Sequence, residues 1–284
     1  MTARVVLTFA ALTVQEASRR RVLRALAALT IVLLALSAFG FSRIEAEFGA
    51  TLTTGEARLA ASTVLNLVMF GLSLIAALGT AFLAGPVLAG EFESGMALAV
   101  LARPVRREAV LVGKWLGLVA FGSGFVILAG LAQFLVVWAT VGYWPPDAAG
   151  GLALLAAQTT VLLTLGLLLS TVISPMASGI VAVGLFGATW IAGVVGSVGA
   201  ALGNESVARV GDVSRMLLPT DGLWRGAMNA FQDPISLVQM GGGDEVGFPF
   251  LSPAPLAPAY LAWAAVWIAM VWGLTALSFS RRDV

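Results

Sequence analysis

The chain has 284 residues, of which 59% are apolar even before its 32 glycines are counted, and only 11% are charged. A soluble domain carries about 25% charged residues, so a water-soluble fold of this size is excluded, and so is a disordered chain, which needs low hydropathy and high charge. The absence of Cys and His removes disulfides, thiolate or imidazole metal ligands, and the Ser-His-Asp and Cys-His nucleophilic systems. What remains is an all-α polytopic membrane protein with little chemistry of its own.

Taken in chain order, residues 4–24 (RVVLTFAALTVQEASRRRVLR) come first. They predict an amphipathic helix with Val5, Val6, Phe9, Leu12 and Ala17 on one face and Gln15, Glu16, Ser18, Arg19, Arg20 and Arg21 on the rest. Such a helix lies in the interface with its arginines near anionic lipid head groups; the same residues also suit a plain basic flank of the first span. No short apolar segment is followed by a small-residue cleavage site, so a signal peptide is not expected. Residues 25–41, 63–90, 115–141, 152–173, 175–202 and 256–279 are six apolar runs without Asp, Glu, Lys or Arg. A bilayer core takes roughly 20 residues of helix to cross, whereas barrel strands are about ten residues long and alternate in polarity. Six transmembrane helices are therefore predicted.

Four segments lie outside these runs: the amphipathic stretch and three others. Residues 91–102 predict a short helix opened by Glu91 and Glu93 and closed before Pro104, which disfavours helical geometry at Arg103. It is too apolar to stand free in water, and Arg103, Arg106, Arg107 and Lys114 flank it. Either a docking element for another protein or a surface-lying loop fits this pattern. Residues 170–178 form a short uncharged connection broken at Pro175. Residues 203–255 hold two helical pieces, about 205–216 and 222–231, whose apolar sides predict that they lean on the membrane or cap the bundle. A Gly- and Pro-rich stretch follows.

An even number of spans puts both termini on one side. That side holds eleven of the sixteen basic residues and five of the fifteen acids, a net charge of +6, and the other side nets −5. The positive-inside rule then places both termini in the cytoplasm. The spans themselves offer only amides such as Asn66, Gln133 and Gln158, which suit packing better than an ion relay. No P-loop is present, since Gly113–Lys114 is followed by Trp115. A six-span protein with neither an ion path nor an ATPase motif is passive or is driven by a partner.

The stretch from Gly90 to Lys114 resembles the cytoplasmic signature of permease subunits of ABC-2-type ATP-binding-cassette exporters, carried here by Glu91, Glu93, Gly95, Pro104, Arg107, Gly113 and Lys114. Met96 stands where that family often has Thr. The N-terminal stretch with Glu16 and Arg19–Arg21 resembles its elbow helix, and the segment containing Pro219, Asp221, Trp224 and Arg225 resembles its extracytoplasmic hairpin. The resemblance implies that residues 91–102, with Arg103, form the coupling helix of a half-transporter. It also implies two ABC ATPase subunits that carry ATP and Mg2+, and a second permease chain, identical or sister, in a bacterial inner membrane. The chain itself is then not an enzyme and holds no cofactor, and no nucleic acid is expected as a partner. The subset containing the permease of the nitrous oxide reductase maturation system is especially similar, and it implies an alternative: a non-transporting subunit that relays ATPase motion to an extracytoplasmic protein docked on residues 203–255.

Overall fold

A computed structural model describes residues 2–48, 54–93, 107–233, 249–252 and 254–281, with only the backbone described for residues 2, 48, 54, 89 and 91–93. These residues form α1 (Thr2–Arg19), α2 (Arg21–Phe48), α3 (Thr54–Glu93), α4 (Arg107–Val141), α5 (Ala148–Ser170), α6 (Pro175–Ala201), α7 (Glu205–Leu217), α8 (Thr220–Phe231) and α9 (Pro258–Arg281). No strand occurs among the described residues. Six helices, α2 to α6 and α9, are long and apolar enough to cross a membrane. The protein is thus an all-helical, multi-pass membrane protein.

Each span contains the core of its predicted apolar run, but several overrun it. α3 begins at Thr54, ahead of the expected residue 63, and α4 begins at Arg107, ahead of 115. Charged flanks end a hydropathy window without ending a helix, because backbone hydrogen bonding continues into the head-group region. Other boundaries are set by local chemistry. Asp147 caps α5, its Oδ1 accepting from the Gly150 amide at 2.9 Å. Pro175 occupies the first turn of α6, where its missing N–H costs nothing. Gly142 and Gly203, both at φ +67°, stop α4 and α6 in the left-handed conformation that glycine adopts without strain.

α3 and α5 form the centre: the most apolar stretch of each is 61% buried, against 17% for α2 and 22% for α9. α3 packs on α2, α4, α5, α6 and α8, while α5 packs on α3, α4, α6, α8 and α9. The buried amides are used for packing. Gln133 donates to Ser37 Oγ, joining α4 to α2. Gln158 accepts from Ser73 at 2.8 Å, joining α5 to α3.

The largest departure from expectation concerns residues 205–231. α7 turns back antiparallel to α6, with Gly199 against Val207 and Gly196 against Gly211. After the Leu218–Pro219 turn, α8 returns between α5, α6 and α3 and ends with the Phe231 ring on Gly151. Thr220, at the bottom of this hairpin, meets Gln158 Nε2 at 3.2 Å through its carbonyl and Thr189 through its hydroxyl at 3.0 Å. Gln158 is ten residues into α5, so the hairpin descends about 15 Å below the helix ends. It does more than cap the bundle: it re-enters from the end opposite the termini, hereafter the distal end, while Val210, Val213, Met216 and Leu217 keep an apolar face of α7 exposed. Leu223, Trp224, Ala227, Met228 and Phe231 are buried on more than one side of α8, which suits a core position.

Candidate coupling platform and re-entrant hairpin

At the terminal end, α1 is seated on α4. A Cβ built on Gly113 would fall 2.7 Å from the Val6 carbonyl oxygen, and one on Gly117 would fall 2.6 Å from that of Ala10. Only glycine lets the two helices approach so closely. The seated face is Val6, Phe9, Ala10, Thr13 and Ala17, whereas Leu12, expected on that face, is 52% exposed. The apolar face of the helix is thus largely taken up by protein. Glu16 pairs with Arg20 one turn later, and Arg19 and Arg21 are exposed.

Beside α1, the buried Lys114 donates from Nζ to the Val87 carbonyl at 3.1 Å. This places a cation near the C-terminal, negative end of α3 and ties the start of α4 to the end of α3. By their backbone, Glu91 and Glu93 lie in the last described turn of the 40-residue α3. Pro86, inside that helix, leaves the Phe82 carbonyl without its intrahelical donor, a point of compliance near the terminal end. Gly85 of α3 abuts the Pro175 carbonyl, which brings the connection between α5 and α6 to the same place. Gly95, Met96, Arg103 and Pro104, with the body of the expected helix 91–102, lie outside the described residues. Arg107 opens α4 and is half-buried.

At the distal end, Asp221 is 2% exposed and its Oδ2 accepts from Arg215 Nε at 3.0 Å and Arg225 Nε at 2.9 Å. Arg225 also donates to the Gly193 carbonyl at 2.8 Å. The carboxylate lies so close to Gly193 that a Cβ there would stand 2.1 Å from Oδ2. One acid thereby joins α7, α8 and α6 at membrane depth. Its second oxygen, and the indole N–H of Trp224 one turn on, have no hydrogen-bond partner among the described residues. Trp224 packs on Phe70 of α3 at 5.5 Å, and Phe70 stacks on Trp190 of α6 at 4.6 Å. Beyond α8, Asn66 of α3 holds the Phe250 carbonyl at 3.0 Å, and Tyr143 donates to the Phe231 carbonyl at 2.6 Å. Burial, reinforced by the negative charge of Asp233, pushes the Tyr143 phenol well above its ordinary range, so it stays a donor.

No group of three or more acidic residues among the described residues is placed to hold a metal ion. The described residues offer a helix seated on glycines, a long helix interrupted by one proline, and an ion-paired acid on a re-entrant hairpin. Residues 10–284 match the family model described as ABC-2 family transporter protein. The chain belongs to the ABC-2 transporter family. A search of curated proteins found no match.

As an ABC-2 permease, the chain is a membrane-spanning, non-catalytic component of a transporter, a family that works with an ABC ATPase. Of the residues expected on the permease's hairpin, Asp221 and Arg225 form an ion pair, Trp224 is buried against Phe70, and Pro219 forms the turn before them. Arg215, the second guanidinium on Asp221, was missed. The Asp221–Arg225 pair at four-residue spacing was a local signal; Arg215 joins it across the turn, a contact that no local spacing encodes. The glycines at 193, 196 and 199 of α6, three apart, were the available sign that something packs closely there.

Proposed function

We propose that this permease is one half of the membrane unit of an ATP-driven exporter. Two ATPase subunits carrying ATP and Mg2+ seat on the terminal end, which faces the cytoplasm of a bacterial inner membrane, and a second permease chain, identical or sister, completes the pathway. The orientation rests on the charge asymmetry of +6 against −5. The observation that carries the reading is α3: one helix of 40 residues, about 60 Å long, joins the Glu91–Glu93 signature to the contacts of Asn66 and Phe70 around the hairpin.

In this mechanism, closure of the ATPase pair displaces residues 91–107. The Lys114–Val87 bond and the seating of α1 on Gly113 and Gly117 make the ends of α3 and α4 move together. Compliance at Pro86 lets the rod tilt, and its far end shifts the aromatic contacts that hold α8. The hairpin is then the distal gate, held shut by the Asp221 clasp.

Purification in mild detergent through a tag on this chain, with identification of copurifying proteins and a nucleotide-hydrolysis assay, tests the assignment. Charge reversal at Glu91 and Glu93 is expected to release or uncouple the ATPase while membrane insertion is unaffected. Unchanged association together with unchanged transport refutes it. A soluble protein cross-linked specifically to residues 203–255, with no transport, points instead to force transmission to an extracytoplasmic partner.

A further inference from the structure

Between α6, α7 and α9 lies a groove of about 630 Å³. This is well within the roughly 300–1,000 Å³ of small-molecule sites, which combine apolar walls with a few polar groups. Leu185 and Ala188 of α6, Val213 and Leu217 of α7, and Trp267 of α9 form its walls, and Ser206 and Arg209 lie at its distal mouth. Trp267 closes the bottom by donating from Nε1 to the Leu217 carbonyl at 2.8 Å. The side of the groove is open: Leu185, Val213 and Leu217 are 41%, 58% and 71% exposed.

Three observations point to one occupant. First, the twelve residues from Ser206 to Leu217 span about 16 Å along α7, the depth of one leaflet of a core about 30 Å thick. Second, Arg209 is the one charged residue among those lining the groove, and it lies with Ser206 at the mouth, while the deeper lining is uncharged and mostly apolar, with Thr189 and Ser214 among Leu185, Leu217 and Trp267, as a lipid carries its charge at one end. Third, among the described residues Arg209 pairs with Glu205, at 3.5 Å, with both side chains more than three-quarters exposed. So exposed a pair holds weakly, and a phosphate competes well for the guanidinium. We infer that the groove binds one acyl chain of a phospholipid in the distal leaflet, with its phosphate held by Arg209. The site follows from the spanning fold and the depth of the hairpin alone, so it does not depend on the export mechanism. Its position on α7 makes the lipid a strut against the outer face of the hairpin.

The test reconstitutes the full chain in vesicles containing phosphatidylglycerol that carries a mid-chain diazirine. Photolabelled peptides are mapped and compared with the Leu128 surface of α4, which is 70% exposed and serves as ordinary lipid contact. Labelling of α6, α7 and α9 at the groove is expected to exceed that reference. Ala188→Trp, which fills the groove, should lower the groove label about tenfold, a change of about 1.4 kcal/mol in binding, and leave the Leu128 label intact. Arg209→Glu should lower labelling by the phospholipid but not by a diacylglycerol with the same chain and no phosphate. Val213→Trp repeats the filling from the opposite wall should Ala188→Trp fail to fold. Groove labelling no greater than at Leu128, labelling unmoved by both filling variants, or cross-links showing a second copy of the chain over Val213 would each overturn the inference.

Discussion

Asp221→Asn is the sharpest probe of the hairpin. The substitution keeps the size of the side chain and removes the charge that Arg215 and Arg225 share at 3.0 and 2.9 Å. Breaking a buried ion pair on one side costs about 3–5 kcal/mol, because the surviving charge is left unpaired in a poor solvent. The arginine side chains are 24% and 17% exposed and retain some hydration, Arg215 keeps the exposed Asp212 at 3.4 Å, and Arg225 keeps the Gly193 carbonyl. The lower end of the range, about 3 kcal/mol, therefore applies, which is about a hundredfold in the opening equilibrium of the hairpin. Hydrogen exchange of the protein in nanodiscs reads this directly: α7 and α8 should lose about that much protection, while α3 and α5 keep theirs. Replacing all three residues together by Arg215→Met, Asp221→Leu and Arg225→Met should restore most of the protection, since apolar isosteres remove the desolvation penalty with the pair. If Asp221→Asn leaves α8 exchange unchanged, or loosens every span equally, the clasp is not what holds the hairpin.

Other expectations follow from the same contacts. Gly193→Ala places a methyl group 2.1 Å from Asp221 Oδ2, so it should mimic Asp221→Asn in the exchange experiment; overpacking of this kind costs about 1–3 kcal/mol. Gly117→Val collides with the backbone of Ala10, which cannot yield, and should unseat α1; faster tryptic cleavage at Arg19–Arg21 without loss of the folded bundle is the readout. Tyr143→Phe removes the 2.6 Å bond to the Phe231 carbonyl and should lower thermal stability by about 1 kcal/mol, measured by fluorescence-detected unfolding. Lys114→Met leaves the end of α3 without its cation; ATP hydrolysis by the reconstituted complex should persist while transport falls, and unchanged transport would count against α3 and α4 moving as a unit.

The spans were legible because an uncharged apolar run of this length has one stable solution in lipid. The limits of α7 and α8 were legible within two residues, since Asn204, whose Oδ1 accepts from the Val207 amide at 3.2 Å, and Pro219 are local signals. The seated face of α1 was read only in part. A helical wheel counts Leu12 as apolar, but it cannot know that glycines on another helix draw Ala10 and Thr13 inward. The depth of the hairpin was not legible at all. Glu205, Arg209, Asp212 and Arg215 give α7 the average polarity of a water-exposed helix, although one face of it packs on Gly196.

That contrast bears on where this permease keeps its charges. A helix that enters the bilayer as a span carries a cost of about 2.5–3.5 kcal/mol for each charge near its centre, and the six apolar runs carry none. α7 and α8, with 13 and 12 residues, are about 20 and 18 Å long, too short to cross a core of about 30 Å. They can occupy membrane depth only as a folded hairpin, after α3, α5 and α6 provide the cleft and Asp221 has both arginines. The polar cluster is therefore stable in one arrangement and expensive in lipid, and the hairpin can leave the cleft toward the distal side without unfolding any span.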